Sequence, residues 1–292
     1  MTKWTLLLAS SIALAPLPAS ARLPILAAIF TDPVRDLKHP ARMEVLHIPS
    51  GGGMLNGVAY LAAGAGQHPT LLVMHGLPGN EKNLDLAQAV RRAGWNAVTF
   101  NYRGSWGSPG HYSFAGNLVD GAAVLAYLRD PANATKLGVD SSRIALAGHS
   151  MGGWVAAMTA EHDPAIMGTI LISAANMGGL RLGHARDSAF MAENMESLAT
   201  TAQAMADEVK QRQPQFDWTP QAAGLAHRPL LILSSDDGLA PGTDAFASVV
   251  RGFKGSRVTT FHVATDHGWS DRRIRLESEV IRWISTLKPV AQ

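Results

Sequence analysis

The chain has 292 residues with no cysteine, is 47% hydrophobic and 16% charged, and carries a formal net charge of +2. That length buries one sizeable core, and the apolar share offsets the ordering entropy that keeps polar chains disordered. Disulfides, thiolate catalysis and cysteine-based metal sites are excluded, and no basic run interleaved with aromatics offers the clustered positive face that a nucleic acid needs.

At the start, Lys3 supplies a positive charge, Thr5 to Ala15 an apolar centre, and Ala19-Ser20-Ala21 a small-residue cleavage site. This is the pattern of an export signal over residues 1–21, which leaves Arg22 to begin one folded domain at 22–292, secreted or periplasmic. The competing reading is an uncleaved membrane anchor, the one route to a membrane contact. Pro16, Pro18, Arg22 and Pro24 interrupt any spanning helix and oppose it.

Two strands come next, Val45 to Ile48 and Met54 to Leu61, turned by Gly51-Gly52-Gly53. Further short aliphatic runs follow at Thr70 to Met74, Asn96 to Tyr102, Arg143 to Ala147, Gly168 to Ser173, Pro229 to Ser234 and Val258 to Val263. Helical stretches alternate with them at Glu81 to Ala93, Leu118 to Arg129, Gly152 to Glu161, Thr243 to Arg251 and Asp271 to Leu287. Continuous apolar strands alternating with helices predict an α/β domain, a mostly parallel sheet covered on both faces, with the first two strands an antiparallel entrance to it.

From Asn176 to Gly224 no strand appears, and the stretch is too long for an ordinary connection. Met191, Met195, Leu198, Ala202, Met205 and Val209 recur at spacings of four and three, along one face of a helix. Asp187 and Glu193 stand near its start and Lys210 and Arg212 at its end, as the helix dipole favours. The segment is expected to be a helical cap over the C-terminal edge of the sheet. Most of its methionines fill the core in this reading, with one or two left to line a pocket.

Gly148-His149-Ser150-Met151-Gly152 has the form Gly-x-Ser-x-Gly, set between a strand and a helix as a sharp turn presenting a serine requires. A serine hydroxyl is a poor nucleophile at neutral pH. It needs a base within hydrogen-bond reach and a third group to hold that base in one tautomer. Two later strands end in candidates: Ser235-Asp236-Asp237-Gly238 follows one, and Thr265-Asp266-His267-Gly268 follows the other. His75, His111, His162 and His262 close no late strand in this way. His149 precedes the serine and reads as packing, and Asp266 reads as a turn aspartate bonded to backbone amides. Trp106, Tyr112 and Phe114 follow a strand end, where loop aromatics more often pack the loop down than line a pocket.

With His75-Gly76-Leu77-Pro78-Gly79-Asn80 and the run from Phe100 to Gly107, these motifs resemble the α/β-hydrolase superfamily over most of the chain after Val45. Within it the chain is similar to bacterial serine esterases and to the catalytic domains of prolyl-oligopeptidase-like (S9-type) peptidases. The resemblance implies an α/β-hydrolase fold in which Ser150 is nucleophile, His267 base, and Asp237 the acid that orients the base. Asp237 is preferred to Asp236 because Asp-x-x-x-Pro, ending at Pro241, matches the family's acid loop. The oxyanion donors implied are the amides of Met151 and Leu77, since Pro78 has no N–H to give.

The residues before the first core strand are too few for the β-propeller that many S9-type peptidases carry, and His75 stands near the position of their oxyanion-loop tyrosine. Both departures favour an esterase acting on a small-molecule ester, with no metal or organic cofactor implied. An aminopeptidase or amidase acting on a peptide-like substrate would use the same three residues. A non-catalytic binding protein on this fold would lack one of them.

Overall fold

A computed structural model describes residues 26–180, 191–193 and 195–289, so the export-signal pattern lies outside the described residues. Among these, no helix is long and apolar enough to cross a membrane.

Eight strands form one sheet in the order β1-β2-β4-β3-β5-β6-β7-β8. They are β1 Arg42–Ser50, β2 Gly53–Leu61, β3 His68–Met74, β4 Asn96–Phe100, β5 Val139–His149, β6 Thr169–Ile172, β7 Pro229–Ser234 and β8 Arg257–His262. β1 pairs antiparallel with β2 and β2 antiparallel with β4; every other pairing is parallel. The expected antiparallel entrance is therefore present.

Because strand side chains alternate between faces, each central strand feeds two cores. Leu71, Val73, Ala145, Ala147, Leu231 and Leu233 pack on one face with helices α2 (Leu84–Arg92) and α9 (Arg273–Ile284). Leu72, Met74, Ile144, Leu146, Leu230 and Ile232 pack on the other with α3 (Phe114–Arg129), α5 (Met151–Glu161) and α8 (Ala240–Arg251). A single turn of helix, α1 (Ala27–Phe30), is pinned by Arg92, whose guanidinium donates to the carbonyls of Ala28 and Ile29.

Several boundaries differ from expectation for local reasons. The helix predicted from Glu81 starts at Leu84 because Asn83 takes a left-handed backbone, φ 56°. α3 starts earlier than predicted, at Phe114, because Ser113 caps the amide of Gly116 at 3.0 Å. A short helix α4 (Pro131–Leu137) was not predicted, although its signals stand in the sequence. Asp130 caps the amides of Ala132 and Asn133, Pro131 opens the first turn, and Gly138 ends it at φ 62°.

The larger correction falls in the insertion. The apolar spacing predicted one helix running from Met191, but the described helix α6 spans Ala202–Phe216. Residues 191–193 are helical, but Thr201 takes an extended backbone and caps the amide of Ala204 at 3.1 Å, and Leu198 bridges antiparallel to Ser105, so residues 195–201 are held out of helix. Met205 and Val209 face the core as expected, whereas Asp187 lies outside the described residues. A second short helix, α7 (Ala222–Ala226), closes the insertion. α6 docks through Trp154 Nε1, which donates to Phe216 O at 2.7 Å. Glu208 also accepts the amides of Phe114 and Ala115, both at 2.8 Å, so its charge meets the N-terminus of α3.

Glu277 on α9 is 6% exposed. Burial, and then the charge of Asp85, push its pKa up to about 7 from an ordinary 4.5. The folded state thus holds a proton that the unfolded chain has released, and stability falls as pH rises from about 4.5 to 7. Glu277→Gln is expected to raise the melting temperature at pH 8 by about 2–4 °C, on the order of 1 kcal/mol, and to change it little below pH 4.5. Thermal melts at the two pH values check this.

Candidate active site

β5 runs into Ser150 and α5 leaves it at once, so the serine stands on a reversal with φ 56° and ψ −126°. Such a conformation is strained for a residue with a side chain and persists only where its surroundings hold it. Here the Ser150 amide donates to Ile172 O at 2.9 Å and the Ala175 amide donates to Ser150 O at 3.0 Å, tying the turn to the end of β6. The glycines are required by crowding. A Cβ at Gly148 would lie 2.0 Å from the carbonyl oxygen of Gly152, and one at Gly152 would lie 2.2 Å from that of Met74. Gly76 is pressed against the serine itself, where a Cβ would come 2.8 Å from Ser150 Cβ.

The turns after β7 and β8 bring Asp237 and His267 to the same edge. His267 Nδ1 lies 2.7 Å from Asp237 Oδ2, and Asp237 Oδ1 accepts the amide of Leu239 at 2.9 Å. Burial alone would raise the pKa of Asp237, but the hydrogen bonds from His267 and Leu239 outweigh it and hold the carboxyl at about 2. The acid is therefore ionised at neutral pH and accepts from an Nδ1–H. That leaves Nε2 as the ring nitrogen open to a hydroxyl.

Ser150, His267 and Asp237 all line one cavity of about 490 Å³. Ser150 Oγ forms no hydrogen bond to a described residue, so its contact to Nε2 is not closed in this structure. Met151 and Leu77 line the same cavity, and neither amide donates a hydrogen bond to another described residue. Leu77, Met151, Met177, Leu180, Met191 and Leu239 supply the apolar wall.

The neighbouring acids separate by partner. Asp236 pairs with His262 Nε2 at 2.9 Å, away from His267. Asp266 accepts the amide of Ser270 at 2.7 Å, an ordinary turn role. His75 is buried with Nδ1 2.8 Å from Gly76 O, and burial lowers its pKa to about 4. It stays neutral and shapes the loop. Tyr112 and Phe114 are buried in the core, and Trp106 donates to Pro78 O at 2.6 Å beneath Lys82, so the three aromatics pack the loop.

His149 is more than packing. Its Nε2 lies 2.8 Å from His267 O, and the two rings stand 4.6 Å apart. Burial, followed by the proximity of His267, lowers its pKa to about 4, so the neutral ring donates to that carbonyl. Nothing local in the sequence announces this contact, which spans 118 positions.

A model of the alpha/beta hydrolase family matches residues 71–286. Two uncharacterized proteins of Mycobacterium tuberculosis are 32% identical over 126 residues, 43% of this chain and 43% of each relative, so the match spans less than half of those proteins. Among solved structures, an esterase of Pyrobaculum calidifontis is similar with a TM-score of 0.65 and 21% identity over 85% of this chain and 87% of that one. The carboxylesterase EstE1, from a metagenomic library, has a TM-score of 0.63 and 22% identity over 90% and 93%. Est1E of Butyrivibrio proteoclasticus has a TM-score of 0.61 and 16% identity over 82% and 97%. At these identities the structural likeness bears on the fold alone.

Proposed function

Because the chain belongs to the alpha/beta hydrolase family, we propose that it hydrolyses carboxylic esters of small molecules through an acyl-enzyme on Ser150. The observation that carries this reading is the 2.7 Å contact of His267 Nδ1 with Asp237 Oδ2, on a ring that shares its cavity with Ser150. In the reaction, Ser150 Oγ attacks the ester carbonyl while His267 Nε2 takes the hydroxyl proton. The carbonyl oxygen gathers charge toward the amides of Met151 and Leu77. The bond to the alkoxy oxygen then breaks, and the imidazolium returns the proton to the departing alcohol. Water repeats the sequence on the acyl-enzyme and releases the acid.

The apolar wall of the cavity suits an uncharged acyl group, which supports esters over charged substrates. The export-signal pattern from Lys3 to Ala21 is what supports an enzyme acting outside the cytoplasm. The test is a panel of p-nitrophenyl acyl esters and aminoacyl p-nitroanilides, together with labelling by a fluorophosphonate and peptide mapping of the adduct. Ester turnover with the label on Ser150 is the expected result. Turnover of the anilides alone would replace the ester reading with a peptidase one, and a protein that neither turns over nor labels would end both.

A further inference from the structure

Three carbonyl and carboxylate partners from opposite sides of the cavity converge on one guanidinium. Arg273, the first residue of α9, donates from Nη1 to Gly268 O at 3.1 Å, immediately after His267. Its Nε donates to Asp85 Oδ2 at 2.7 Å, and Nη2 to Asp85 Oδ1 and, at 3.1 Å, to Asn83 Oδ1. Asn83 ends the loop whose earlier residues, Gly76 to Glu81, line the cavity, and Glu81 lies 3.8 Å from the same Nη2. The Arg273 side chain is only 19% exposed and is absent from the cavity lining, so it does not meet substrate.

We propose that Arg273 is a positioning residue, locking the loop that carries the base to the loop that carries the Leu77 oxyanion donor; this rests on the esterase reading above. The two loops lie roughly 190 residues apart in sequence and share no backbone ladder, since one follows β3 and the other β8, at the sheet's far edge. Their relative placement must hold to a fraction of an ångström for base and oxyanion donor to serve one tetrahedral intermediate. His149 fixes the carbonyl of His267 from the nucleophile side, and Arg273 fixes the next carbonyl from the oxyanion-loop side. Asn83 holds a left-handed backbone, φ 56°, and its amide donates to Glu81 Oε1, so this anchor point is itself pinned. A lysine cannot replace the fork: one ammonium does not span Asp85, Asn83 and Gly268 together.

The experiment compares wild type, Arg273→Lys and Arg273→Ala for kcat and KM on p-nitrophenyl butyrate, with melting temperatures. Both variants are expected to lose about 10- to 100-fold in kcat with KM within about threefold, because misplacement harms the transition state more than binding. Millimolar methylguanidinium is expected to restore part of kcat in Arg273→Ala and to leave wild type unchanged. A folded variant whose kcat stays within about threefold of wild type overturns the proposal, as does a loss confined to KM or one that methylguanidinium leaves untouched. If Arg273→Ala fails to fold, Asp85→Asn takes its place with the same expected fall in kcat, and unchanged kcat there is equally fatal. Wild type without turnover refutes the esterase reading; wild-type turnover with intact variants refutes the role of Arg273.

Discussion

Ser150→Ala is expected to lower kcat on an aryl ester by on the order of 10⁴- to 10⁶-fold and to abolish fluorophosphonate labelling. The loss is large because, among the described residues, no second nucleophile lines the cavity: the other polar side chains there are Asn80, Glu81, Asp237, His149 and His267. Residual turnover comes from the oxyanion donors alone, acting on water. The turn at residue 150 is held by backbone bonds to Ile172 and Ala175, which alanine keeps, so the melting temperature is expected to stay within about 2 °C. Steady-state kinetics and a thermal melt on the same preparation check both halves. Loss of less than about tenfold with the fold intact would remove Ser150 from the reaction.

Asp237→Asn is expected to cost on the order of 10³- to 10⁴-fold in kcat, while Asp236→Asn stays within about threefold. The two residues are adjacent and isosteric changes, so composition and local charge are matched. Asp237 is buried, with its side chain 4% exposed, and its carboxylate accepts from His267 Nδ1. An amide there can offer its N–H to the ring, which selects the tautomer with the proton on Nε2, unable to take the serine proton. Asp236 faces His262 at a solvated surface, its side chain 61% exposed. Because Asp237 is held at about 2, its own titration leaves activity unaffected across neutral pH. Measuring kcat for both variants at pH 7 and 9 separates them, and equal losses would show that the loop, not the carboxylate, is what matters.

Much of this arrangement was legible because it is written locally. The strand segments, the placement of helices on both faces and the strand ends that carry Ser150, Asp237 and His267 follow from runs such as Pro229 to Ser234 and from glycines beside the turn, whereas the order of the strands across the sheet is set by long-range pairing that no local run records. Where local signals competed, periodicity misled: the apolar spacing from Met191 to Val209 continues through a position where Thr201 prefers to cap, and capping prevailed. The short helix Pro131–Leu137 had its Asp-Pro start and glycine stop in plain view and was overlooked because it interrupts no expected alternation. His149 and Arg273 were beyond reach, since each matters through a contact with a carbonyl or carboxylate distant in the chain or displaced by a turn of loop. The apolar wall of the cavity was half legible, with Met191 in the named stripe but Met177 and Leu180 not singled out.

The close press of Gly76 on Ser150, and of Gly148 and Gly152 on their neighbours, divides the molecule into parts with unequal freedom to diverge. At those three positions an added methyl would collide with its neighbours, so substitution there is expected to disturb the turn that carries Ser150. Met177, Leu180 and Met191 line the same cavity with side chains, where one apolar group can be exchanged for another of similar volume. Under the proposed reaction, a change of substrate preference is therefore expected to come from that apolar wall, with the crowded turn at Ser150 left as it is.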